Sequence, residues 1–333
     1  MKQRIEYIDA LKGFAIFLVV LGHTIGWQFS DFQRFDMGGV NLLWQVIYSF
    51  HMPLFMFCSG LFFPPYDNNG FKVVYDSIKK RFLTLMVPYI TMGVLGHLFF
   101  SRSYFLYWFL ITLFLFFLLN TIIVCLLHKL KLDGPVHEAF SYFFFSIAIL
   151  LISYKFSFMY QGVGILNLTV YPYFCLGILF SRFKLAEKWL SKNWLYSLAI
   201  PLFMVSFFFY VYANLHGPLR LLAGMLTATS GIFASLYLFK HIQGRMMRWF
   251  NYLGKYTLEI YLLHFIFLVH LPFFGDFYQH QYAIFGFGGS FVPQLIVSMI
   301  LTMTNIILCI TLKEIITQSN LLSRLLLGRA SNK

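Results

Sequence analysis

Charged side chains are scarce in this chain of 333 residues: 25 Lys and Arg and 12 Asp and Glu make up 11% of it. Soluble globular proteins carry about 25% charged residues. Hydrophobic residues make up 59% of the chain and include 43 Phe, more than a soluble core of this length could hide. The composition therefore excludes a soluble globular protein and predicts a chain whose main solvent is lipid.

Cysteine is also scarce, and its four copies lie in apolar stretches without paired spacing: Cys58, Cys125, Cys175 and Cys309. This pattern excludes a disulfide framework and a cysteine metal site, and we expect all four to be small buried apolar side chains. The chain also lacks His-x-x-x-His and Glu-x-x-His spacings, a Gly-rich phosphate loop and a Gly-x-Ser-x-Gly turn. We therefore expect no metal and no hydrolase-type nucleophile.

Long apolar runs fill the chain, separated by Gly, Pro, Asn or charged residues. A helix needs about 20 apolar residues to cross a membrane. The runs predict about ten transmembrane helices, at 11–30, 41–63, 82–101, 104–127, 139–154, 164–181, 194–213, 219–239, 250–271 and 291–312. The sequence shows no internal repeat. We expect an all-α, polytopic membrane helical bundle that forms a single domain over residues 1–333.

The basic residues separate cleanly under this ten-helix topology. Of the 25 Lys and Arg residues, 21 fall on the side of the N-terminus, and the other side receives Arg34, Arg102, Lys155 and Arg220. The positive-inside rule then places both termini in the cytoplasm. The formal net charge of +13 thus reflects topology and lipid headgroups, and we expect no nucleic-acid partner. Binding of an anionic cofactor at the cytoplasmic face is the alternative for a few of these residues.

Ionisable residues inside a span are costly and usually functional. His23 lies in the first predicted span, eleven residues or three helical turns beyond Lys12, so both share a face and His23 lies about 16 Å deeper. Asp9 lies close to the same face. His51 in the second span, followed by Pro53, reaches a similar depth. A proline inside a membrane helix removes a backbone hydrogen bond and often kinks the helix. The exposed backbone is tolerated beside a protein-lined cavity.

The ninth predicted span carries three polar residues: Glu259, Tyr261 and His264. Tyr261 and His264 are three residues apart and face the same way on a helix. His264 also lies near mid-depth, so three histidines on separate spans predict a polar chamber. Two alternatives stay open. Each histidine is also compatible with a structural role, bonded to a neighbouring carbonyl, and Glu259 is also compatible with an ion pair to Lys255.

The first span resembles that of the acyltransferase family 3 membrane proteins. These proteins carry an Arg or Lys, ten residues and then a His, here Lys12 and His23, after an Asp-x-Leu-Arg/Lys-Gly opening that contains Asp9. The resemblance continues in order through residues 50–60, 79–89, 108–110, 171–180 and 253–264. It is nearest to the short branch of fucose and polysaccharide O-acetylases. One departure is that the family's Arg-x-x-Arg at the third span is here Arg81 followed by Thr84, so Lys79 or Lys80 would supply the second charge.

The resemblance implies transfer of an acyl group, usually acetyl, from cytoplasmic acyl-CoA to a hydroxyl of a lipid-linked or cell-surface glycan. It also implies a multi-pass protein of the bacterial plasma membrane; a homodimer is compatible with it. We expect His23 to act as general base, with an acyl-imidazole as the open alternative. Lys12, Lys80 and Arg81 would hold CoA phosphates near the cytoplasmic mouth, and Asp9 would orient Lys12.

The remaining site residues, His51, Tyr261 and His264, would steady the oxyanion or position the acceptor. The rival function is a proton-coupled secondary transporter that uses the midplane His residues and Glu259 as its relay. A non-catalytic partner of a glycan-assembly complex is a third hypothesis.

Overall fold

A computed structural model describes residues 6–28, 39–64, 71–100, 107–132, 134–155, 166–183, 197–268 and 272–329. Within these ranges the chain is helical and contains no β-strand. The α-helices are α1 (Glu6–Gln28), α2 (Gly39–Leu61), α3 (Phe71–Arg81), α4 (Val87–Phe100), α5 (Trp108–Lys129), α6 (Pro135–Lys155), α7 (Tyr171–Arg182), α8 (Ala199–Tyr212), α9 (Gly217–His241), α10 (Gly244–Lys255), α11 (Thr257–Leu263), α12 (Pro272–Ile316) and α13 (Asn320–Leu327).

Seven stretches of the described chain are helical, long and apolar enough to cross a membrane: Tyr7–Gly26, Leu42–Leu61, Lys72–Leu98, Trp108–Lys129, Pro135–Ser153, Gly217–His241 and Leu295–Ile316. They confirm the first five, the eighth and the tenth predicted spans. The sixth and seventh fall on the shorter helices α7 and α8, of 12 and 14 residues. The chain is an all-α, multi-pass membrane protein.

The chain divides into two compact units, which we describe separately. The first unit comprises Met1–Phe55 and Lys192–Lys313, and the second comprises Met56–Ser191 and Glu314–Lys333. Helix α2 contributes its first part to the first unit and its last turns to the second. The single domain expected over residues 1–333 stays a prediction.

In the first unit, α1 is mostly apolar around its circumference and is buried along most of its length, as expected for a helix in the interior of a bundle. It crosses α10 at two glycines, where a Cβ on Gly13 would overlap the carbonyl oxygen of Phe250 and a Cβ on Gly254 would overlap that of Asp9. Only glycine permits such a close backbone approach. Further along α1, the rings of Phe17 and Trp249 are 5.6 Å apart. Residues further along α1 contact residues earlier in α10, so the two helices are antiparallel.

The ninth predicted span, 250–271, is wrong as a single helix. Helix α10 ends at Lys255, Tyr256 leaves helical geometry (φ −115°, ψ 23°), and α11 gives way to a 3₁₀ turn over His264–Phe267. Helix α10 exposes Arg245 and Arg248, while Phe250 and Gly254 pack against α1. The break at Tyr256 lets the chain change direction before α11.

In the second unit, α2 and α7 also meet at glycines: a Cβ on Gly60 would overlap the carbonyl oxygen of Phe174, and a Cβ on Gly177 would overlap that of Phe57. Helix α6 is joined to α7 by an ion pair in which Arg182 Nε lies 3.2 Å from Glu138 Oε2. The Tyr142 hydroxyl donates to the same carboxylate oxygen over 3.2 Å. Because buried charges need a partner, this pair fixes how α6 and α7 pack.

Two other sequence expectations need correction, and a third concerns residues that the structure describes only in part. Cys58, Cys175 and Cys309 are buried as expected, but Cys125 is exposed, because it lies on a face of α5 that the described chain does not cover. The last long helix, α12, begins at Pro272, well before the expected start at residue 291. Several basic residues used for the topology lie outside the described residues: Lys2, Arg4, Arg34, Arg102, Lys184, Lys188, Lys192 and Lys333.

Candidate active site

Two of the three predicted midplane histidines meet in the first unit. His23 Nδ1 on α1 lies 2.9 Å from His264 Nε2, and the two ring planes are nearly parallel, 10° apart. The ring of Phe265 packs 4.9 Å from His23. His264 is fully buried, whereas His23 keeps partial exposure. The pair therefore presents only one of its imidazoles to a ligand.

The main chain around His264 determines which ring nitrogen carries its proton. His264 Nδ1 lies 2.7 Å from the carbonyl oxygen of Tyr261 and 3.1 Å from that of Ile260. These carbonyls belong to the last turn of α11, and that of Ile260 also accepts the backbone N–H of His264. A carbonyl oxygen only accepts, so Nδ1–H donates, and a neutral His264 has an unprotonated Nε2.

The unprotonated Nε2 of His264 then accepts a hydrogen bond from Nδ1–H of His23. A neutral His23 consequently carries its lone pair on Nε2, the nitrogen that faces away from His264. This arrangement orients one imidazole with another, as a carboxylate or carbonyl orients the base in catalytic triads. The pair can accept one proton, at His23 Nε2, and stabilise the resulting imidazolium through the same hydrogen bond.

His51 also belongs to the first unit, on α2, but its Nδ1 is bound to its own helix. The atom lies 2.7 Å from the carbonyl oxygen of Ile47, so in the neutral ring Nδ1–H donates and Nε2 accepts. The Tyr48 ring lies 4.8 Å from His51 and 6.4 Å from His23. Tyr48 thus lies next to both histidines, and Trp44 stacks on its ring at 4.1 Å.

The roles expected for His51 and His264 stay predictions, and the hydrogen bonds of the two rings favour positioning over an oxyanion role. A group that steadies an oxyanion must donate a proton to it. In a neutral His51 the proton is on Nδ1 and is donated to Ile47, while both nitrogens of His264 are engaged by carbonyls and by His23. Neither ring is an oxyanion donor in this arrangement. His264 orients the His23 ring, and a neutral His51 presents an acceptor nitrogen.

Tyr261 and Glu259 lie on α11, and both side chains are buried. The Tyr261 ring is 5.8 Å from that of His264. Glu259 lies in the first turn of α11, where the helix dipole favours a negative charge. The break at Tyr256 lies between Glu259 and Lys255, so these two residues do not occupy successive turns of one helix.

Asp9 and Lys12 form an ion pair near the start of α1, with Asp9 Oδ1 2.9 Å from Lys12 Nζ. The Asp9 side chain is buried and Lys12 is partly exposed. Gly254 of α10 packs directly on the Asp9 carbonyl, so α10 covers this end of α1. Along the helix axis the pair lies at least about 16 Å from His23, too far for contact with its imidazole.

Lys80 and Arg81 belong to the second unit, at the end of α3. Lys80 is exposed, and Arg81 places its guanidinium carbon 3.5 Å from the centroid of the Phe117 ring. Phe117 lies twelve residues before Lys129, the end of α5, or about 18 Å along the axis. Arg81 therefore reaches the middle of α5 rather than the helix end expected of a residue at a cytoplasmic mouth. A five-residue π-helix, Phe82–Met86, follows it directly, a feature common at functional sites.

Residues 5–312 match the family model described as "Acyltransferase domain", that of acyltransferase family 3. The chain belongs to this family. The match confirms the resemblance read from the first-span motif and makes the protein a multi-pass membrane acyltransferase. No curated protein and no solved structure matches it. Among the described residues of this acyltransferase, no cluster of His, Cys, Asp and Glu could hold a metal ion.

Sequence reasoning missed three residues near the histidine pair of this acyltransferase. Tyr48 lies three residues before His51, a spacing that places both on one helix face. Asn305 donates to the His264 carbonyl and could have been found as a lone amide in the last apolar run. The Thr24 hydroxyl, next to His23 in sequence, is buried and makes no hydrogen bond within the described chain.

Proposed function

We propose that this acyltransferase is a membrane O-acyltransferase that moves an acyl group, most simply acetyl, from acyl-CoA to a hydroxyl of a lipid-linked or cell-surface glycan. His23 is its general base. The observation that carries the proposal is the hydrogen bond from His23 Nδ1 to His264 Nε2, with His264 Nδ1 held by two carbonyls. It makes His23 Nε2 the proton-accepting nitrogen of a partly exposed ring.

The reaction follows from that assignment. The acceptor hydroxyl gives its proton to His23 Nε2 while its oxygen attacks the carbonyl carbon of the thioester, forming the new C–O bond. The tetrahedral intermediate collapses, the C–S bond breaks, and the thiolate of CoA leaves with the electron pair. The proton on His23 Nε2 passes to that thiolate, which restores the neutral histidine. No metal and no redox partner is needed for this balance.

Hydroxyl groups are the better candidates for the oxyanion donors. Thr24, the residue after His23 in α1, carries a buried hydroxyl, and a buried donor needs a partner, which the acyl carbonyl would provide. Tyr261 carries the second hydroxyl, one helical turn before His264. The hydroxyl of either residue can donate to a developing negative charge without changing the proton count at His23.

Phosphates of the donor require cationic side chains, and Lys12, Lys80 and Arg81 are the proposed ones. Asp9 holds Lys12 in place. Stacking on Phe117 uses the face of the Arg81 guanidinium, and the N–H donors lie along its edge, where a phosphate binds. The acceptor would be a bacterial surface glycan, and the membrane the bacterial plasma membrane.

The test is acyl transfer by the purified protein in nanodiscs. Acetyl-CoA labelled on the acetyl group is incubated with a lipid-linked glycan fraction, and both CoA release and label transfer are followed. The variant His23→Asn keeps an N–H donor at the position of Nδ1 and loses Nε2. We expect its transfer rate to fall at least about 100-fold, the smaller end of what a general base contributes.

The matched control is His97→Asn, which makes the same substitution at an exposed histidine of α4 and should leave the rate unchanged. Transfer at the wild-type rate by His23→Asn would refute His23 as the base. If wild type turns over no acyl-CoA and instead shows proton-coupled uptake of a solute into vesicles, the protein is a transporter and not an acyltransferase.

A further inference from the structure

We propose that Asn305 is a positioning residue for the histidine pair, and that it acts on His23 through the main chain of His264. The inference rests on the proposed function and adds to it a residue of α12 that touches no substrate atom. Asn305 Nδ2 donates to the carbonyl oxygen of His264 over 2.9 Å. The side chain is 3% exposed, so water does not compete for this bond.

A second contact assigns the orientation of the Asn305 amide. Cys309, one turn further along α12, donates its thiol proton to Asn305 Oδ1 over 3.3 Å. A thiol at this position can donate to the amide oxygen but offers little to an NH₂ group. The amide nitrogen is thereby directed towards the carbonyl, where a donor is needed.

The His264 carbonyl lies where regular helix ends. Helix α11 stops at Leu263 and a 3₁₀ turn covers His264–Phe267, so carbonyls here lose regular helical partners. Asn305 donates to this buried carbonyl from a separate helix, which ties the backbone of His264 to α12.

Helix α12 holds α11 at both ends. Lys313 Nζ lies 4.4 Å from the centroid of the Tyr256 ring, at the break before α11, and Asn305 reaches His264 just after it. Tyr256 and His264 are eight residues apart, as are Asn305 and Lys313, and the two pairs run in opposite order. The antiparallel match leaves α11 little freedom to slide, since a shift in its register breaks one contact or the other.

Both parts of His264 are therefore anchored: its ring by the carbonyls of Ile260 and Tyr261, and its backbone by Asn305. Loss of the Asn305 bond lets the backbone, and with it the ring that orients His23, move. A misplacement of about 1 Å at a reacting group costs about 100-fold in rate. We expect the kcat of Asn305→Leu, a change of similar side-chain volume, to fall about 10- to 100-fold, with the KM for acyl-CoA and for the acceptor unchanged.

A double-mutant cycle separates positioning from a general structural role. His264→Ala, Asn305→Leu and the double variant are compared in the acyl-transfer assay. If Asn305 acts through the imidazole of His264, adding Asn305→Leu to His264→Ala changes kcat by less than about twofold. Independent losses that multiply would overturn the inference. Ser235→Ala is the matched control, because it removes a buried hydroxyl whose bond, to the Gly231 carbonyl, stays within α9.

A substitute variant and a second measurement cover the cases in which the cycle cannot be run. If Asn305→Leu is not recovered folded, Asn305→Ala, which cannot clash, takes its place in the same cycle. If wild type transfers no acyl group, the proposed function fails by itself, and Asn305 is judged on ¹⁵N spectra of labelled histidines. Signals of His23 and His264 that turn heterogeneous on loss of Asn305 support positioning, and unchanged signals overturn it.

Discussion

Replacing Gly13 by Ala should destabilise the first unit, because no space exists for the added methyl. The new Cβ would overlap the carbonyl oxygen of Phe250 and press on the amide of Gly254. Both obstacles are backbone, which cannot move aside as a flexible side chain does. To reach ordinary contact distance, α1 and α10 would have to separate by roughly 1 Å or more.

The size of the effect follows from two opposing contributions. Overpacking a well-packed contact costs about 1–3 kcal/mol, and a backbone obstacle belongs at the upper end. Alanine in a helix is about 1 kcal/mol more favourable than glycine, which offsets part of this. We expect a net loss of about 2 kcal/mol in the free energy of unfolding. Transfer activity should fall as well, because α10 leads directly into α11 and His264.

The matched control is Gly96→Ala on α4, where an added Cβ meets nothing within 4 Å. This variant should be as stable as wild type or more stable by up to about 1 kcal/mol. Thermal unfolding in one detergent, with all three proteins measured at the same heating rate, gives the comparison. A Gly13→Ala midpoint equal to that of Gly96→Ala would refute the close approach of α1 and α10.

Two further predictions concern a proposed phosphate-binding residue, Arg81, and a proposed oxyanion donor, Thr24. Arg81→Lys should raise the KM for acyl-CoA while leaving kcat nearly unchanged, because an ammonium group lacks the planar donor edge; Lys72→Arg, at an exposed site of the same helix, should leave both constants alone. Thr24→Val should lower kcat about 100- to 1000-fold if its hydroxyl meets the oxyanion, and wild-type kcat in this variant would remove Thr24 from that role.

The long spans were predictable because lipid imposes a simple rule on composition. Runs such as those of α1, α5 and α9 must pair their backbone internally and present apolar surface, so their position can be read from hydropathy. The break at Tyr256 could not be read this way, since residues 250–271 are apolar enough to pass for one span. The charges of Arg245, Arg248 and Lys255, which precede the break, were the available signal that α10 is a separate helix.

Depth along a helix was predictable, but the direction of a hydrogen bond was not. Counting residues placed His23 and His264 at similar depth, and the structure brings their rings together. Which nitrogen of each ring is protonated depends on the carbonyls of Ile260 and Tyr261, and these point at His264 because α11 ends there. Local geometry of this kind leaves no trace in residue spacing, so the oxyanion role expected for His264 was an inference from residue type alone.

Contacts between distant parts of the chain were the least predictable. Asn305 and His264 are 41 residues apart, and nothing in either segment identifies the other as its partner. Arg81 was expected near the cytoplasmic mouth, and its side chain stacks on Phe117 in the middle of α5. An Arg side chain combines a charge with a flat face that packs on aromatic rings, and its sequence neighbours do not reveal which property places it.

The polarity of the hydrogen bond between His23 and His264 is the central claim, and ¹⁵N NMR tests it most directly. The protein has ten histidines; labelling them with ¹⁵N in nanodiscs and comparing wild type with His23→Asn assigns the His23 signals. Near neutral pH we predict a protonated Nδ1 and an unprotonated Nε2 for His23, and the same tautomer for His264. A His23 protonated at Nε2, with a bare Nδ1, would contradict the account, since its ligand-facing nitrogen could then not accept a proton.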